Sequence, residues 1–417
     1  MTVSNALMTQ TTRPQSPRFQ AKRDAILDAA ASLFNQMGVK GATLSDIAAR
    51  VGLITTSVTY YYRRKEQLAT ACIHRTIEAL AETTRAAAEA PGLDARIHAF
   101  FRGHAARLAD TARGTTPALV QLNDLRALPD PYFQEVSTAY TTLFRQVRAL
   151  ISAPDAPVVP RANLNARAHY VLSISHWMRT WTHDFDADEY ERMADRVSDI
   201  VLHGIAAPGT SWQDADDAAP HWTLVDEPQA TAEAFLRAAS ELVNEQGYRG
   251  ASVDKISARL NVTKGAFYHH NDNKEDVVLR CFERTFHVIR RAIEASRTDG
   301  GNGWERTSAI VRALVAFQLS PAGPLLRMGA TTVLSDLSQR LDVMADMRRV
   351  TQRIAGDIVD GMIDGSVRPL DPLLAAQVAT ATINNASELR DWVSQASPEN
   401  VPRLFVRPML LGLRSAA

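Results

Sequence analysis

The 417-residue chain contains only two cysteines, Cys72 and Cys281, which argues against a disulfide framework and against a cysteine-based zinc site. Its formal net charge is zero, because 46 Lys and Arg balance 46 Asp and Glu, so it is not a protein that coats nucleic acid with its whole surface. The N-terminus lacks the apolar core of a signal peptide, and no uncharged apolar run approaches the roughly 18 residues of a membrane span. We therefore expect a soluble, cytoplasmic protein without a membrane partner.

Motifs that carry catalysis are also missing from the sequence. It has no Gly-rich phosphate loop, no nucleophile elbow, no HExxH zinc motif and no spaced set of Ser, His and Asp. We expect no catalytic residue, no metal and no cofactor, and hence no enzyme. The length favours two to four domains, and the hydrophobic content of 46% allows each of them a core.

Residues 43–68, TLSDIAARVGLITTSVTYYYRRKEQL, have the pattern of two short helices joined by a tight turn, with a third helix following. Thr43 and Asp46 have the spacing of a helix-capping pair, and Gly52 suits the positive φ of the turn. The second short helix, about residues 55–61, carries hydroxyl and aromatic side chains and is followed by cations. This arrangement is typical of a helix-turn-helix whose second helix enters the DNA major groove.

The helix before this stretch has apolar residues at helical spacing and ends at Gly38. Taken together, residues 23–68 resemble the DNA-binding domain of the TetR family of transcriptional regulators. The resemblance is carried by Ile26, Leu27, Ala29, Ala30, Leu33, Phe34, Gly38, Thr43, Leu44, Ile47, Ala48, Gly52, Leu53, Tyr61, Tyr62, Lys65, Glu66 and Leu68. The chain departs from the family at Ile54, Thr56 and Thr59, where Ser, Gly and Tyr are usual. The resemblance implies an operator-binding domain followed by a helical ligand-binding and dimerisation domain.

Further helices are predicted from apolar periodicity and from the prolines and glycines that interrupt it. They cover about residues 64–88, 93–110, 116–127, 132–152, 162–184 and 187–206. We find no convincing period-two alternation, so the predicted fold class is all-α.

The same pattern begins again in the second half of the chain. A shift of 209 positions aligns the two copies without a gap, and about a third of positions 23–76 are identical. The identical pairs include Leu27 with Leu236, Asn35 with Asn244, Gly38 with Gly247, Lys65 with Lys274 and Cys72 with Cys281. Trp181 matches Trp392 at a shift of 211, so we expect the duplication to cover the whole unit.

The sequence thus predicts two tandem TetR-like units, here called the first unit (residues 21–206) and the second unit (residues 229–417). We place a flexible basic tail at 1–20, helix-turn-helix domains at 21–68 and 229–277, sensor and dimerisation domains at 69–206 and 278–417, and a linker at 207–228.

Proteins of the TetR family usually act as homodimers, and a fusion would make this pairing intramolecular. We expect a pseudo-dimer within one chain, in which long helices at about 162–206 and 371–414 form a four-helix contact. In the alternative arrangement, each unit pairs with its twin from another chain in a homodimer.

Double-stranded DNA is the expected partner of both short second helices. Thr55, Thr56 and Ser57 in the first unit, and Lys264, Gly265 and Ala266 in the second, are the candidates for contacts with base edges. The candidates for contacts with the DNA backbone are Thr43, Ser45, Thr59, Tyr60, Tyr61, Arg63, Lys65, Ser252, Tyr268, His269 and Lys274. Tyr62 is expected in the core, and Tyr61 fits either the core or DNA.

The two helix-turn-helix regions differ in charge. Ten Lys and Arg against four acidic residues give a net charge of +6 between residues 13 and 75, whereas eight against eight give zero between 228 and 284. Because affinity for the DNA backbone grows with the number of phosphates neutralised, we expect the first unit to dominate DNA affinity.

A small, apolar or amphipathic effector is the ligand that the resemblance implies for the sensor domains. The candidates for its binding site are His169, Ser173, His176, Trp177, Asn384 and Asn385, for which ordinary packing is the competing interpretation. For Cys72 and Cys281 we favour packing over redox sensing.

The sequence leaves three functions open. The first is a sequence-specific, ligand-responsive transcriptional repressor in which both units bind DNA. In the second, only the first unit binds DNA, and the second is a built-in dimerisation or protein-interaction partner, as its neutral charge suggests. The third is a ligand-binding adaptor without DNA binding.

Overall fold

A computed structural model describes residues 16–122, 125, 128–225, 230–259 and 273–416. The described residues form α-helices and short 3-10 and π turns, with one isolated β-bridge between Ala206 and Val367 but no β-strand. The predicted all-α fold is confirmed. No helix in this part of the chain is long and apolar enough to cross a bilayer.

The described residues of the first unit form eight α-helices. They are α1 (Pro17–Gly41), α2 (Leu44–Arg50), α3 (Thr55–Tyr61), α4 (Lys65–Ala88), α5 (Gly92–Ala112), α6 (Tyr132–Leu150), α7 (Arg161–Trp181) and α8 (Tyr190–His203). The helix-turn-helix bounds agree with the sequence prediction, and the backbone leaves helical geometry at Gly38, where we expected α1 to end.

The described part of the second unit repeats this order. Its helices are α9 (Ala230–Gly250), α10 (Val253–Arg259), α11 (Lys274–Asp299), α12 (Gly303–Leu319), α13 (Leu337–Asp364), α14 (Pro372–Asn385) and α15 (Arg407–Leu411). A kink at Gly247 in α9 matches the one at Gly38 in α1, with φ of 68° at both glycines.

The repeat extends to side-chain contacts. In the first unit the Asn35 amide donates to the Leu119 carbonyl (2.9 Å) and accepts from the Gln121 N–H (2.8 Å). Asn244 makes the same two bonds in the second unit, to the Leu325 carbonyl (2.9 Å) and from the Arg327 N–H (3.1 Å). Each asparagine thus fixes the segment that follows α5 or α12.

The two cysteines also occupy equivalent, buried positions. The Cys72 thiol donates to the Leu27 carbonyl across the contact between α1 and α4, and the Cys281 thiol donates to the Leu236 carbonyl across the contact between α9 and α11. Burial raises the pKa of Cys72 to about 12 and that of Cys281 to about 11. Both thiols therefore stay protonated near neutral pH, which favours the packing interpretation.

The units contact each other through α7 and α8 of the first and the segment from α14 to α15 of the second. His169 on α7 donates from Nε2 to the Asn385 carbonyl (2.9 Å), and Trp177 donates to the Gln377 side chain (3.1 Å). Arg167 donates to the Leu413 carbonyl at 2.7 Å. These contacts join the two units across a buried interface.

Backbone atoms of the two units meet at the ends of α8 and α15. The Ile205 N–H donates to the Leu410 carbonyl (2.8 Å), and the Leu413 N–H donates to the Val201 carbonyl (2.9 Å). Gly204, with φ of 65°, lies at this crossing: a Cβ there would be 2.1 Å from the Leu410 carbonyl oxygen. The close approach of the two backbones therefore requires glycine at this position.

Two predicted helices are wrong. Residues 116–121 are not helical, because Pro117 lacks an N–H and the Asn35 side chain occupies the Leu119 carbonyl and the Gln121 N–H. The long helix predicted at 371–414 ends at Asn385. It is followed by a 3-10 turn (Ala386–Asp391), an irregular segment, a π turn (Pro402–Val406) and the five-residue α15.

The expected tail and linker are more ordered than predicted where they are described. α1 begins at Pro17, inside the stretch assigned to the tail, and Ser16 caps it; residues 1–15 lie outside the described part. In the linker, the Ala207 N–H donates to the Ser366 carbonyl (3.2 Å), and Arg312 on α12 forms an ion pair with Asp216 at 3.0 Å. The described linker residues therefore lie against the second unit.

The crossing at Gly204 generates a stability prediction. Gly204→Ala should lower the free energy of unfolding in urea, first because a side chain at positive φ costs about 1–2 kcal/mol. Its Cβ also overlaps the Leu410 carbonyl, and such overpacking adds about 1–3 kcal/mol. Gly114→Ala is the matched control, since Gly114 also has positive φ (73°) but nothing within 4 Å of its Cβ position. Equal losses in the two variants would contradict the close approach.

Candidate DNA-binding surface and effector cavity

The first short helix of the helix-turn-helix is capped by its own residues. The Thr43 hydroxyl accepts from the Asp46 N–H (3.1 Å), and the Asp46 carboxylate accepts from the Thr43 N–H (2.9 Å) and hydroxyl (2.7 Å). These bonds lower the pKa of Asp46. The predicted capping pair is confirmed, and it fixes the start of α2.

α3 presents its polar side to solvent. Val58 is fully buried and anchors the helix, whereas Thr55 and Thr56 are exposed and Ser57 is half-buried. At the two ends of the helix, Ile54 is 70% exposed and Tyr60 is 74% exposed. The predicted base-contacting residues thus lie at the accessible N-terminal end of α3, beside two exposed apolar side chains.

The Thr59 hydroxyl has an intrahelical partner. It donates to the Thr56 carbonyl at 2.9 Å, and its residue is half-buried. A DNA contact through this hydroxyl would have to compete with that bond.

Aromatic rings tie α3 to the start of α1. Phe19 lies 4.7 Å from Tyr61 and 6.1 Å from Tyr60 between ring centroids. Tyr62 is buried, as predicted, and its hydroxyl accepts from Arg23 Nε at 3.1 Å. Burial raises the pKa of Tyr62 despite this bond. Tyr61 is thus half-buried against Phe19, and Tyr60 is the ring that remains accessible.

Cations lie beside this helix. Arg63 and Arg64 are exposed just after it, and Ser45 and Arg50 are exposed on α2. Lys65 begins α4, and its ammonium donates to the Ala42 carbonyl at 2.9 Å. That bond fixes the start of α4 against the segment before α2.

The helix-turn-helix of the second unit lies largely outside the described residues. Lys264, Gly265, Ala266, Tyr268 and His269 all belong to the stretch 260–272, which the structure does not describe. Ser252 accepts from the Lys255 N–H (3.2 Å) but lacks the reciprocal carboxylate, because Lys255 stands where the first unit has Asp46. Lys274 begins α11, which is capped instead by Asn273 and Asp276.

A large cavity lies between the two units. It has a volume of about 1490 Å³ and is lined by α4–α7 of the first unit and by the ends of α9, α13 and α14 of the second. Four of the six predicted effector residues line it: His176, Trp177, Asn384 and Asn385. His169 and Ser173 are buried elsewhere, because His169 donates to Asn385 in the contact between the units and stacks on Phe405.

The helix-turn-helix region of each unit matches the same known domain family. The N-terminal domain of the bacterial regulatory proteins of the tetR family matches residues 26–72 and again residues 235–281. The chain thus carries two N-terminal domains of the TetR family, one in each unit.

Two curated relatives are matched over part of their length. The chain is 37% identical over 82 residues to the transposon Tn10 TetC protein of Escherichia coli, covering 20% of this chain and 41% of TetC. It is 39% identical over 48 residues to IcaR, the negative transcriptional regulator of the biofilm operon icaADBC of Staphylococcus epidermidis, covering 12% and 26%. The chain thus spans less than half the length of either relative.

A solved structure of the family is also similar. The TetR family transcriptional regulator PfmR from Thermus thermophilus has 19% sequence identity and a TM-score of 0.35, and the match covers 42% of this chain and 95% of PfmR.

Sequence reasoning missed most of the cavity wall. Tyr140 on α6, His104 on α5 and Arg179 on α7 line the cavity, together with Trp392, which follows α14. Trp392 stacks on Phe144 of the first unit, with ring centroids 3.7 Å apart and planes at 6°. The sequence assigned Trp392 to a pocket or an interface, but no local pattern showed that it stacks on a residue of the other unit.

Two histidines of the wall, His104 and His176, are held neutral. Burial lowers the pKa of His104 to about 4, although its Nε2 donates to the Ser175 carbonyl at 2.8 Å. Burial, together with the charges that His104 and His169 would carry, lowers the pKa of His176 to about 3. Both imidazoles are therefore uncharged hydrogen-bonding groups near neutral pH.

The shifted pKa of His104 makes stability depend on pH. The unfolded chain binds a proton near the ordinary pKa of 6.5 and the folded chain only near 4, so this contribution is complete above pH 6.5 and is lost as the pH falls toward 4. Between pH 7.5 and 5 the loss from His104 should be about 2 kcal/mol.

His104→Gln keeps a donor for the Ser175 carbonyl and should reduce that loss, measured by urea unfolding at both pH values. His221→Gln, which removes an exposed histidine, is the control and should leave the loss unchanged. The same pH dependence in the wild type and in His104→Gln would contradict burial of a neutral imidazole.

Proposed function

We propose that this TetR-family protein is a sequence-specific, ligand-responsive transcriptional repressor whose two units act as an intramolecular pseudo-dimer on operator DNA. The observation that carries the proposal is the exposed polar end of α3. There Thr55, Thr56 and Ser57 can reach base edges, while the buried Val58 and the capped α2 hold the helix in place.

The basic surface around α3 supports a DNA partner. Arg18, Arg50, Arg63 and Arg64 are exposed close to the helix-turn-helix in sequence, within a region of net charge +6. Such cations attract the phosphate backbone and orient the recognition helix over the groove. The name of the relative IcaR, a negative transcriptional regulator, supports repression rather than activation.

Reciprocal contacts between the units support the pseudo-dimer. Ile205 and Leu413 occupy equivalent positions after α8 and α15, and each donates its N–H to a carbonyl of the other unit. Two arginines at non-equivalent positions also bond across the interface, since Arg167 donates to the Leu413 carbonyl and Arg368 donates to the Gly204 carbonyl (2.8 Å). A surface that pairs with its own equivalent in this way is the signature of a two-fold dimer interface.

The effector is proposed to act through the cavity between the units. Since the wall includes residues of both, a ligand that prefers one separation of the units would shift the population toward it and lower operator affinity. The ligand proposed is a small apolar or amphipathic molecule.

A second candidate function follows from the charge difference between the units. In it, only the first unit binds DNA, and the second is a dimerisation partner. The neutral balance of residues 228–284 and the loss of the capping carboxylate at Lys255 favour this candidate.

Operator binding tests both candidates. The measurement is the affinity for a duplex taken from the region upstream of the protein's own coding sequence, over a series of salt concentrations. Thr55→Ala/Ser57→Ala should lower sequence-specific affinity at least tenfold, because each lost base contact costs about 1–3 kcal/mol. If both units bind DNA, Lys264→Ala/Lys274→Ala should weaken binding, and the slope of log affinity against log salt concentration should become shallower by about one, for the lost phosphate contact of Lys274.

The matched control is Thr138→Ala/Thr142→Ala, which removes two exposed hydroxyls from α6. It should leave affinity unchanged. Loss in the first variant alone would favour the second candidate. If the wild type shows no specific binding to any part of the upstream region, the proposed function is wrong.

A further inference from the structure

Two large apolar side chains are exposed on the helix-turn-helix of the first unit. Ile54, just before α3, is 70% exposed, and Tyr60, toward the other end of the helix, is 74% exposed. Val158 is the other large apolar side chain that is exposed among the described residues of this unit. The phenol of Tyr60 can donate a hydrogen bond to a phosphate, whereas the side chain of Ile54 has no polar atom. The exposure of Ile54 therefore needs an explanation of its own.

Ile54 does not serve the fold by capping α3. It occupies the N-cap position with an extended backbone, and its side chain makes no capping bond. Ser, Thr, Asp and Asn are preferred at such positions because their side-chain oxygens accept from N–H groups of the first helical turn. Thr43 does this for α2, and the residue equivalent to Ile54 in the second unit is Thr263. Isoleucine at position 54 thus leaves α3 without a side-chain cap.

Ile54 does not pack into the core either. Its neighbour Leu53 packs against the hydrophobic core, and Val58 on α3 is fully buried. These two residues anchor the turn and the helix, while Ile54 between them stays in contact with water. Because exposed apolar surface and a missing cap both disfavour the folded state, the stability of this domain does not account for an isoleucine here.

The surroundings of Ile54 favour DNA over a protein as its partner. The adjoining Thr55 and Thr56 are exposed, and so are the cations Arg63 and Arg64 that follow α3. A protein that docks on apolar surface needs a contiguous patch, which one isoleucine beside hydroxyl and guanidinium groups does not provide. DNA requires only that a single apolar group of a base meets the side chain.

The chemistry of the side chain limits what it can recognise in DNA. The base edges in the major groove present hydrogen-bond donors and acceptors, and the apolar group among them is the C5-methyl of thymine. Isoleucine can neither donate nor accept, so contact with this methyl is the favourable base contact open to it. Residues at the start of a recognition helix lie nearest the bases, which places position 54 for such a contact.

We propose that Ile54 contacts the C5-methyl of a thymine in the operator half-site of the first unit and so determines specificity at that base pair. Thr55, Thr56 and Ser57 bond the polar edges of neighbouring bases, and Ile54 adds the apolar contact. This inference rests on the proposed operator binding.

Replacement of thymine by deoxyuridine tests the contact, because it removes the C5-methyl and keeps the pairing with adenine. The starting duplex is one that the full chain binds specifically, taken from the upstream region or selected from a random pool. Each thymine is replaced in turn and the affinity is measured. For the wild type, at least one replacement should weaken binding about threefold or more, the effect expected for one buried methyl group. Synthetic duplexes contain no 5-methylcytosine, so the methyl that is lost is that of thymine.

Variants assign the lost methyl to Ile54. Ile54→Ala should bind the unmodified duplex about threefold or more weakly, and the sensitive deoxyuridine replacement should then have no further effect. Ile54→Val keeps a branched apolar side chain and should keep the sensitivity. Ile54→Ser can cap α3, so it should lose the sensitivity while melting at no lower temperature than the wild type. Val158→Ala removes an exposed apolar side chain distant in sequence from the helix-turn-helix, and this control should respond to every replacement as the wild type does.

The outcomes separate this inference from the proposed function. If the wild type and Ile54→Ala bind the duplex specifically but respond equally to every deoxyuridine replacement, the methyl contact is wrong and operator binding stands. If Ile54→Ala binds all duplexes more weakly to the same extent, including unrelated DNA, Ile54 acts on the DNA backbone or on stability and the inference is again overturned. Absence of specific binding to any duplex would contradict the proposed function and this inference with it.

Discussion

Backbone atoms of the two units approach each other at Gly204 and Gly412, where a Cβ would lie 2.1–2.2 Å from a carbonyl oxygen of the opposite unit. This contact sets how α8 and α15 meet, and α7 and α14 pack beside them. The stacking of Trp392 on Phe144 depends on how the units are joined, since the two rings belong to different units. Two glycines thus constrain the geometry of the interface and of the cavity next to it.

Duplication explains why the two units could diverge. In a homodimer every substitution appears twice, whereas in a tandem chain each unit can change alone. The helix-turn-helix region of the first unit has a net charge of +6, whereas that of the second unit has a net charge of zero. One pair of equivalent positions shows this divergence. Asp46 caps α2 with its carboxylate, whereas the equivalent residue of the second unit, Lys255, has no carboxylate.

Local patterns predicted the parts of the fold that depend on nearby residues. The capping pair at Thr43, the bounds of α3 and the break at Gly38 all follow from spacing and residue type, and the repeat follows from a fixed shift. The remaining parts of the fold depend on contacts between residues that are distant in sequence. Helix periodicity could not show that Asn35 would occupy the backbone groups of residues 119 and 121, so a helix was expected there.

The candidate DNA-binding surface and the cavity also differ in how far local sequence patterns predict them. The exposed face of α3 could be predicted, because it depends on one short helix and its buried Val58. The cavity could be predicted only in part, because its wall combines two units. Histidines on one helix suggested a pocket, yet His169 lies in the contact between the units, while His104 and Tyr140 came from helices that showed no such pattern.

The proposed pseudo-dimer requires that one chain supplies both halves of a DNA-binding dimer. The mass of the complex with a saturating operator duplex decides this, measured by native mass spectrometry or light scattering at low protein concentration. We expect one chain per duplex. A complex that contains two chains per duplex and never one would contradict the pseudo-dimer and would show that each unit pairs with its twin from another chain.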